Sequence, residues 1–291
     1  MMCEDDIVRL ADLVDSLQKE KPQKAFKHCR FAICAIASPL EANYLDEWIA
    51  YHRAIGVEQF FIATNDWDWK CNLDYVCTTR INGRNKQCQY YTNFARTMAG
   101  VADWCAFIDV DEFIKLGSKQ KTVLDLVHDN IYVDSIALSW KLFGSNGKHF
   151  DGEYSVLKRF IKCQDGFNKH IKTILNMKKL KSFGDDKALF FPTPHYALSI
   201  KTYGVGQWSV DGRQIHGPCD NDSYMLKNTD ACLAHFFCKT PEEWKLKQQR
   251  GRVDVPEESN LLYRKDEEFA AHDFNEVEDT SLKDILYKEH K

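Results

Sequence analysis

An apolar run that ends in a cluster of acids constrains the fold of this chain more than any other feature. The run spans 104–108, and three acids follow within four residues, at Asp109, Asp111 and Glu112. A run of this length suits a buried strand and is too short for a helix to be the first expectation. Open α/β sheets bind ligands at the carboxyl ends of their strands. The run therefore predicts a buried strand of such a sheet, with a ligand site at its end.

The two aspartates are expected to act together. In extended backbone, Asp109 and Asp111 share one face of the strand while Val110 faces the other. Two adjacent carboxylates repel each other, and a hard divalent cation is a common partner that relieves the repulsion. The pattern therefore predicts a metal site that holds a phosphorylated ligand. A solvated strand end with an acidic turn is the alternative interpretation.

Composition narrows the class of protein. The 291 residues carry a formal net charge of −4, so no general electrostatic argument favours nucleic acid as a partner. No apolar stretch approaches the roughly 20 residues that cross a bilayer, and the acidic N-terminus lacks the basic and apolar regions of a signal peptide. The eleven cysteines include no Cys-x-x-Cys pair. We expect reduced thiols and a cytoplasmic location.

The order of predicted elements indicates an α/β protein with a mainly parallel sheet. Apolar runs at 30–37 and 57–64 are expected to be strands, and the helical spacing at 45–52 predicts a helix between them that Gly56 ends. A second helix is predicted at 91–98, before the strand that leads to the acids. Strand–helix–strand order of this kind predicts parallel strands with right-handed crossovers.

The second half of the chain is less regular. Strands are predicted at 135–140, 171–177 and 233–237, but most of the segment 150–225 is expected to be irregular or antiparallel. Thr240, Pro241 and Glu243 form the capping box of a further helix. We divide the chain into an N-terminal helix and linker (1–24), one domain (25–255) and a charged C-terminal extension (256–291) that we expect to be peripheral.

Four motifs occur in order between about residue 30 and residue 254. Residues 41–57 contain Tyr-Leu-x-Glu-Trp-Ile-x-Tyr-His and Gly-Val after an acid, 65–68 form Asn-x-x-Asp, and 104–113 read Trp-x-x-Phe-x-Asp-x-Asp-Glu-Phe. The closing pattern consists of His235, Lys239, Thr240, Glu243, Lys247 and Arg250-Gly251. Together they resemble glycosyltransferases of GT-A type, in the family-2-like and family-92-like group. Leu40 and Phe236 depart from the Asn and Tyr that are usual there.

The resemblance implies a GT-A (Rossmann-like) fold with a mixed, mainly parallel sheet flanked by helices and an irregular acceptor side. It also implies inverting transfer of a sugar, from a nucleotide diphosphate donor to a hydroxyl of a glycan or glycoconjugate. A UDP-linked donor is favoured, with galactose or glucose as the sugar. Bound Mn²⁺ or Mg²⁺ would neutralise the charge that develops on the leaving diphosphate. Asp111 would hold this metal, with Asp109 acting directly or through the ribose or a water, and with His235 as a further ligand.

Several residues are candidates for substrate contacts. Those for nucleotide-sugar binding are Glu41, Asn65, Asp68, Asp109 and Lys239. An inverting transfer also needs a base, normally an acid in the second half of the chain. The base candidates are Glu153, Asp165 and Asp211, followed by Asp185 and Asp186, with His195 as another pocket candidate. Trp140 and Trp208 would stack on sugar rings or lie in the core.

Two other functions stay open at this stage. One is a catalytically silent carbohydrate- or protein-binding module on the same fold. The other is a metal-dependent nucleotidyl or phosphoryl transferase, although the chain lacks the standard glycine-rich phosphate loop of such enzymes. If the acceptor is a lipid or a growing polysaccharide, as in polysaccharide biosynthesis, we expect a peripheral membrane contact at the cytosolic face.

Overall fold

The computed structural model describes residues 27–180, 189–199, 207–221 and 230–288. The predicted N-terminal helix at 1–24 lies outside these ranges, and so do Asp185 and Asp186.

The strands in chain order are β1 (Cys29–Ala37), β2 (Gln59–Asn65), β3 (Val76–Ile81), β4 (Ala102–Phe107), β5 (Glu112–Lys115), β6 (Ser135–Leu142), β7 (Lys162–Cys163), β8 (Asn168–Asn176), β9 (Leu189–Thr193), β10 (Tyr196–Ser199), β11 (Gln207–Ser209), β12 (Cys232–His235) and β13 (Val277–Glu278). The helices are α1 (Leu45–Ala54), α2 (Gln87–Thr97), α3 (Val123–Asp129), α4 (Val156–Arg159), α5 (Met177–Leu180), α6 (Pro241–Arg250), α7 (Asp266–His272) and α8 (Ser281–Tyr287), with a 3₁₀ helix at Pro39–Tyr44.

Nine of the strands within the described ranges form one mixed sheet. Its order is β3-β2-β1-β4-β8-β6-β12-β5, and β11 also pairs with β6. Strands β3, β2, β1 and β4 are parallel to one another, and β12 and β11 are parallel to β6. β8 runs antiparallel to both of its neighbours, and β5 runs antiparallel to β12. The prediction of a mixed, mainly parallel sheet flanked by helices is therefore confirmed.

The predicted elements of the first half lie close to where the sequence indicates them. β1 is buried along most of its length, as a central parallel strand requires. α1 ends where Gly56 takes a φ of +97°, a conformation that costs glycine little. β3 was not predicted, because its residues are only partly buried and do not alternate cleanly.

Helix α1 fixes the position of the strand that follows the acids. The indole nitrogen of Trp48 donates to the Glu112 carbonyl at 2.7 Å, and the Tyr51 hydroxyl donates to the Ile114 carbonyl at 2.8 Å. The ring of His52 accepts from the Ile114 amide at 3.2 Å. All three side chains are fully buried. The first motif therefore holds β5 in place, and Trp48 and His52 belong to the core.

The segment 150–225 differs from its prediction in one important respect. It was expected to be irregular or antiparallel, but β8 lies in the middle of the main sheet, between β4 and β6. The antiparallel character is correct, and the hairpin of β9 and β10 adds to it. Asp211 and Gly212 form a tight turn, with Gly212 at φ +84°.

The C-terminal extension packs on the domain as far as it is described. Leu282 is 2% exposed and belongs to the main core. The Tyr287 hydroxyl donates to Glu47 at 2.9 Å, and the Lys115 ammonium donates to Asp279 at 2.5 Å. The expectation of a peripheral extension therefore needs correction: apolar residues spaced among the charges bury themselves against α1, α4 and β5.

The ten cysteines in the described ranges are free, and six of them are buried. None of the helices described is long and apolar enough to traverse a bilayer.

Candidate active site

A pocket of about 340 Å³ lies at the carboxyl ends of the central strands. Ile36 and Ser38 reach it from the end of β1, Asn65 from the end of β2, and Asp109 and Asp111 from the segment after β4. The far wall comes from β6, β8 and β12. Its location and size are typical of a ligand site in an open α/β sheet.

The acids occupy a turn, which corrects the expectation that they continue the strand. β4 ends at Phe107, and the Glu112 amide donates to the Asp109 carbonyl at 3.0 Å, closing a turn. The turn is needed because the chain next crosses to β5 at the far edge of the sheet. Both aspartates still line the pocket, so the turn brings them together without the shared strand face.

Asp109 is neutralised by a lysine from the middle of the sheet. The Lys172 ammonium donates to Asp109 Oδ2 at 2.7 Å and lies 3.6 Å from Glu112 Oε2, with only 1% of its side chain exposed. Gln87 Nε2 donates to the other oxygen of Asp109 at 2.5 Å. Burial alone would raise the pKa of Asp109, but the positive charge of Lys172 outweighs it and the pKa lies below its usual value. Asp109 is therefore an anion held in place.

Asp111 has a second lysine as its partner. The Lys247 ammonium, in α6, donates to Asp111 Oδ2 at 2.8 Å and to the Phe237 carbonyl at 3.0 Å. Burial opposes ionisation of Asp111, but Lys247 and His235 overcome it, so its pKa lies well below the usual value. Burial, together with the cationic neighbours Lys239 and Arg264, lowers the pKa of Lys247 to about 8 despite the attraction of Asp111.

His235 lies between two carboxyl groups. Its Nε2 is 3.5 Å from Asp111 Oδ1 and its Nδ1 is 3.9 Å from Glu112 Oε1. Within the described ranges of the chain, both Nδ1 and Glu112 Oε1 are buried without a hydrogen-bond partner. Burial lowers the pKa of His235 and raises that of Glu112 well above its usual value. A neutral ring next to an ionised aspartate results.

Asp111 and His235 offer two donors for a small divalent cation, but the described residues contain no group of three or more His, Cys, Asp or Glu side chains placed to hold a metal. Asp111 Oδ1 and His235 Nε2 lie 3.5 Å apart, within ligand–ligand distance of a shared ion. His235 Nδ1 lies 3.9 Å from Glu112 Oε1, too far for the hydrogen bond that commonly supports a metal-binding histidine. Mn²⁺ and Mg²⁺ commonly take their remaining ligands from water and substrate phosphate.

The rim of the pocket is rich in cations from the C-terminal part of the chain. Arg250 binds Glu41 at 2.7 Å and Ser38 at 2.8 Å. Arg252 and Arg264 share Glu268, at 2.9 and 3.1 Å. The cations that line the pocket besides Lys172 are Lys86, Lys247, Arg250, Arg252 and Arg264. The same lining holds five carboxylates, Glu41, Asp109, Asp111, Asp254 and Glu268, so the six Lys and Arg side chains exceed the acids by one. Guanidinium groups in such a setting can bind a multiply charged anion such as a diphosphate.

The structure brings together only part of the predicted site. The predicted residues that line the pocket are Glu41, Asn65, Asp109, Asp111, Trp140, His195 and His235. Asn65 is buried, and no described residue forms a hydrogen bond with its Oδ1.

Other predicted residues lie outside the lining of this pocket. Asp68 is paired with Arg80 at 2.9 Å, and its side chain is 70% exposed. Lys239 adopts a φ of +54° and places its ammonium 4.7 Å from the centre of the Tyr44 ring. The remaining ones are Glu153, Asp165, Asp211 and Trp208. The base predicted among the first three therefore does not face the pocket.

Several pocket residues carry no role in the sequence-based prediction. Lys172 and His170 lie two apart on β8, so they share a face of the strand, and this spacing is the sequence signal that indicates them. Lys247 and Arg250 belong to the closing motif, but that motif assigns them no partner. Arg264 and the nearby Glu268 and His272 lie in the extension that was expected to be peripheral.

The pocket combines strand-end acids, a buried imidazole and a cationic rim, as do pockets that bind phosphorylated ligands. Curated relatives of the chain are glycosyltransferase family 92 proteins. One from Ricinus communis is 28% identical over 155 residues, 48% of this chain and 26% of that protein. One from Oryza sativa subsp. japonica is 31% identical over 100 residues, 31% of this chain and 17% of that protein. One from Arabidopsis thaliana is 22% identical over 294 residues, 94% of this chain and 48% of that protein. The chain thus spans less than half the length of each of these relatives. No family model matches the chain.

Solved structures similar to this one include two glycosyltransferases. The galactosyltransferase LgtC, in complex with donor and acceptor sugar analogues, is 11% identical with a TM-score of 0.35, covering 71% of this chain and 87% of LgtC. The apo form of the glycosyltransferase GlyE of Streptococcus pneumoniae TIGR4 is 11% identical with a TM-score of 0.27, covering 54% of this chain and 36% of GlyE. At these scores, neither structure carries an argument about this chain.

Proposed function

We propose that this chain is a metal-dependent, inverting glycosyltransferase that moves a hexose from a UDP-linked donor to a hydroxyl of a glycan or glycoconjugate. The observation that carries the proposal is the meeting of Asp111 and His235 below a cationic rim at the strand ends. The names of the curated relatives support the same class of activity. The cytoplasmic location, like the peripheral contact with a membrane-borne acceptor, stays a prediction.

Asp111 and His235 would hold the cation, with Asp109 close by. Mn²⁺ or Mg²⁺ bound there would supply Lewis-acid neutralisation of the leaving diphosphate. Lys247 already donates to Asp111, so its ammonium keeps this carboxylate ionised and oriented. The rim arginines would bind the diphosphate, and they are held in place by Glu41 and Glu268. Asn65, with an unpartnered carbonyl oxygen, is a candidate contact for the nucleotide.

One observation favours a second function. Each aspartate is already paired with an ammonium at 2.7 to 2.8 Å, so its negative charge is matched without any metal. A catalytically silent module that binds carbohydrate, with lysines where an enzyme holds its cation, would have this arrangement. Its binding would be insensitive to EDTA, which separates it from the enzyme.

Thermal unfolding of the purified 291-residue chain tests the proposal. UDP and UDP-galactose, each with Mn²⁺ and each with EDTA, would be compared with the other nucleoside diphosphates. Ligand at about a hundred times its Kd stabilises by roughly 2.7 kcal/mol. We expect a rise in Tm with UDP that EDTA removes. No rise with any nucleotide, or a rise that EDTA leaves intact, would contradict the metal-dependent enzyme.

Variants locate the site. Asp111→Asn should abolish the Mn²⁺-dependent rise in Tm with UDP, measured against the variant's own Tm, because it removes a ligand and the charge that balances Lys247. His235→Ala should reduce the Mn²⁺-dependent rise in Tm with UDP less than Asp111→Asn does. Asp68→Asn, at an exposed acid outside the pocket, is the control and should behave like the unmodified protein. A full Mn²⁺-dependent rise in Asp111→Asn would contradict the metal assignment.

A further inference from the structure

An inverting transfer needs a base in the pocket, and the acids there are poorly suited to this role. Asp109 and Asp111 are each held by a lysine, and Glu41 is held by Arg250. Glu268 is shared by two arginines, and Asp254 is exposed at the rim. A carboxylate in an ion pair is a weaker base, because the cation stabilises its charged form. The base has to be sought among the other groups of the pocket.

One imidazole in the pocket wall has the geometry of a base. His195 lies in the turn between β9 and β10, and its Nδ1 is 2.9 Å from the Ile171 carbonyl oxygen. Because a carbonyl oxygen only accepts, Nδ1 must carry the proton. In the neutral ring, Nε2 therefore keeps its lone pair. The hydrogen bond fixes the tautomer, much as a second group orients the basic histidine in other enzymes.

The surroundings of His195 keep its ring neutral. Burial, followed by the positive charge of Lys172, lowers the pKa of His195 to about 4, and the Ile171 carbonyl and Asp109 oppose this only in part. The neighbouring His170 also lowers the pKa of His195, but by less than Lys172 does. The ring is thus unprotonated at neutral pH, so its Nε2 lone pair is free, but a pKa of about 4 makes it no stronger a base than an ordinary carboxylate. The case for His195 therefore rests on the hydrogen bond that fixes its tautomer and on its place in the pocket wall.

Trp140 provides a contact for an acceptor next to this ring. Its indole packs on His195 with ring centres 5.3 Å apart and on His235 with ring centres 4.3 Å apart. Trp140 is 9% exposed and lines the pocket, and its Nε1 has no hydrogen-bond partner among the residues that the structure describes. A buried donor of this kind needs a partner, and a sugar hydroxyl can supply one. Trp140 is therefore in ring contact with both His235 and His195.

We propose that His195 is the general base, and that Trp140 binds the acceptor through its indole N–H. This inference rests on the proposed function. The acceptor oxygen forms a bond to the anomeric carbon while the bond from that carbon to the diphosphate breaks. The proton of the acceptor hydroxyl goes to His195 Nε2, and the nucleoside diphosphate leaves with the bonding electron pair.

His272 and His170 are alternative imidazoles in the pocket lining. His272 Nδ1 also binds a backbone carbonyl, that of Glu268, at 2.7 Å, but its ring packs on Phe237, whereas the ring of His195 packs on Trp140. His170 packs on Trp140 as well, and its Nδ1 contacts the Asn168 side-chain oxygen at 2.8 Å, so its Nε2 is also a potential acceptor. Variants of His195 and His170 distinguish the two.

Release of UDP from UDP-galactose, with water as acceptor, tests the proposal. His195→Asn keeps an N–H where Nδ1 binds the Ile171 carbonyl but removes Nε2. We expect UDP release to fall at least about 100-fold, the usual share of a general base, with the Mn²⁺-dependent rise in Tm with UDP unchanged. Sodium azide should restore release and form galactosyl azide, because azide attacks without losing a proton. A residue with a merely structural role would not respond to azide.

Two results would overturn the assignment: UDP release in His195→Asn within about threefold of the unmodified protein, or a loss that azide does not restore. If His195→Asn fails to fold, His195→Gln replaces it in the same experiment, because the glutamine side-chain amide cannot act as a base. In His170→Asn, azide should restore nothing; rescue there instead would move the role to His170. If the unmodified chain neither binds UDP with Mn²⁺ nor releases it from UDP-galactose, the proposed function itself fails, and this inference fails with it.

Discussion

At the residue scale, the site is built from pairs of opposite charge. Lys172 and Lys247 each neutralise one of the two aspartates, and both lysines come from elements far away in sequence. A charge buried without a partner is costly, so each pair is far more stable intact than with one member removed. The pairs therefore stabilise the fold, in addition to any part they take in binding a phosphorylated ligand.

Removal of Lys172 should show this dependence. Lys172→Met keeps the length of the side chain but leaves Asp109 without its ammonium and Glu112 without a nearby positive charge. Because 35% of the Asp109 side chain stays exposed, we expect the free energy of unfolding to fall by about 1.5–3 kcal/mol, measured by urea denaturation at neutral pH.

Lys178→Met is the matched control. Lys178 follows closely in sequence and pairs with Asp103 at 2.8 Å, but its side chain is 66% exposed. Its loss should cost at most about 1 kcal/mol. Equal effects of the two substitutions would mean that the buried pair at Asp109 contributes nothing beyond a surface pair.

At the element scale, the start of α6 ties distant parts of the chain together. Thr240 and Glu243 form the predicted capping box. The Glu243 carboxylate also accepts hydrogen bonds from the two terminal guanidinium nitrogens of Arg159, both at 2.9 Å, and from the Tyr44 hydroxyl at 2.5 Å. One helix start thus links α4, the 3₁₀ helix and the pocket rim. The sequence predicts the cap, but the two distant partners are a tertiary feature.

Glu243→Gln should destabilise the protein in a pH-dependent manner. Burial opposes ionisation of Glu243, but Arg159 and Tyr44 outweigh it and hold its pKa at about 2, below the ordinary 4.5. Because the pKa is lower in the folded state, the stabilisation is complete above about pH 4.5 and is lost as the pH falls toward 2. We expect a loss of about 3 kcal/mol at pH 7, since the pair is buried.

Urea denaturation at several pH values measures this difference. The gap between Glu243→Gln and the unmodified protein should narrow as the pH falls from 4.5 toward 2. Glu267→Gln, in the first turn of α7 and exposed, is the control and should stay within about 0.5 kcal/mol at every pH. A gap independent of pH would refute the role of the ionised carboxylate.

At the scale of the whole molecule, the last described segment completes both core and pocket. Leu282 lies in the main core, and Arg264, Glu268 and His272 line the pocket. The composition of this segment is charged, so sequence alone suggested a solvated tail. Packing overrides composition here because a few apolar side chains are placed where the domain leaves an apolar surface uncovered.

Leu282→Ala tests whether the segment belongs to the cooperative fold. We expect the free energy of unfolding to fall by about 2–5 kcal/mol, as for other large-to-small substitutions in a core. Ile285→Ala, on the same helix at 41% exposure, is the control and should cost much less. Equally small effects of Leu282→Ala and Ile285→Ala on thermal and urea unfolding would indicate that α8 unfolds separately from the domain.

Local patterns determined much of this protein. The buried strand before Asp109, the helix that Gly56 ends and the capping box at Thr240 all follow from hydrophobic spacing and backbone preferences, which act within a few residues. The local pattern also identified the acids at the strand end as pocket residues, and the resemblance added the late histidine, although their roles stay predictions.

Only the tertiary structure decided which charges meet. Lys172 reaches Asp109 because β8 inserts between β4 and β6, and Lys247 reaches Asp111 because α6 packs over the end of β12. The left-handed turn at Lys239 directs its ammonium to Tyr44, outside the lining of the pocket. Such contacts depend on strand order and on segments more than 60 residues apart. Spacing within one segment carries no information about them, since it reports only local burial and backbone conformation.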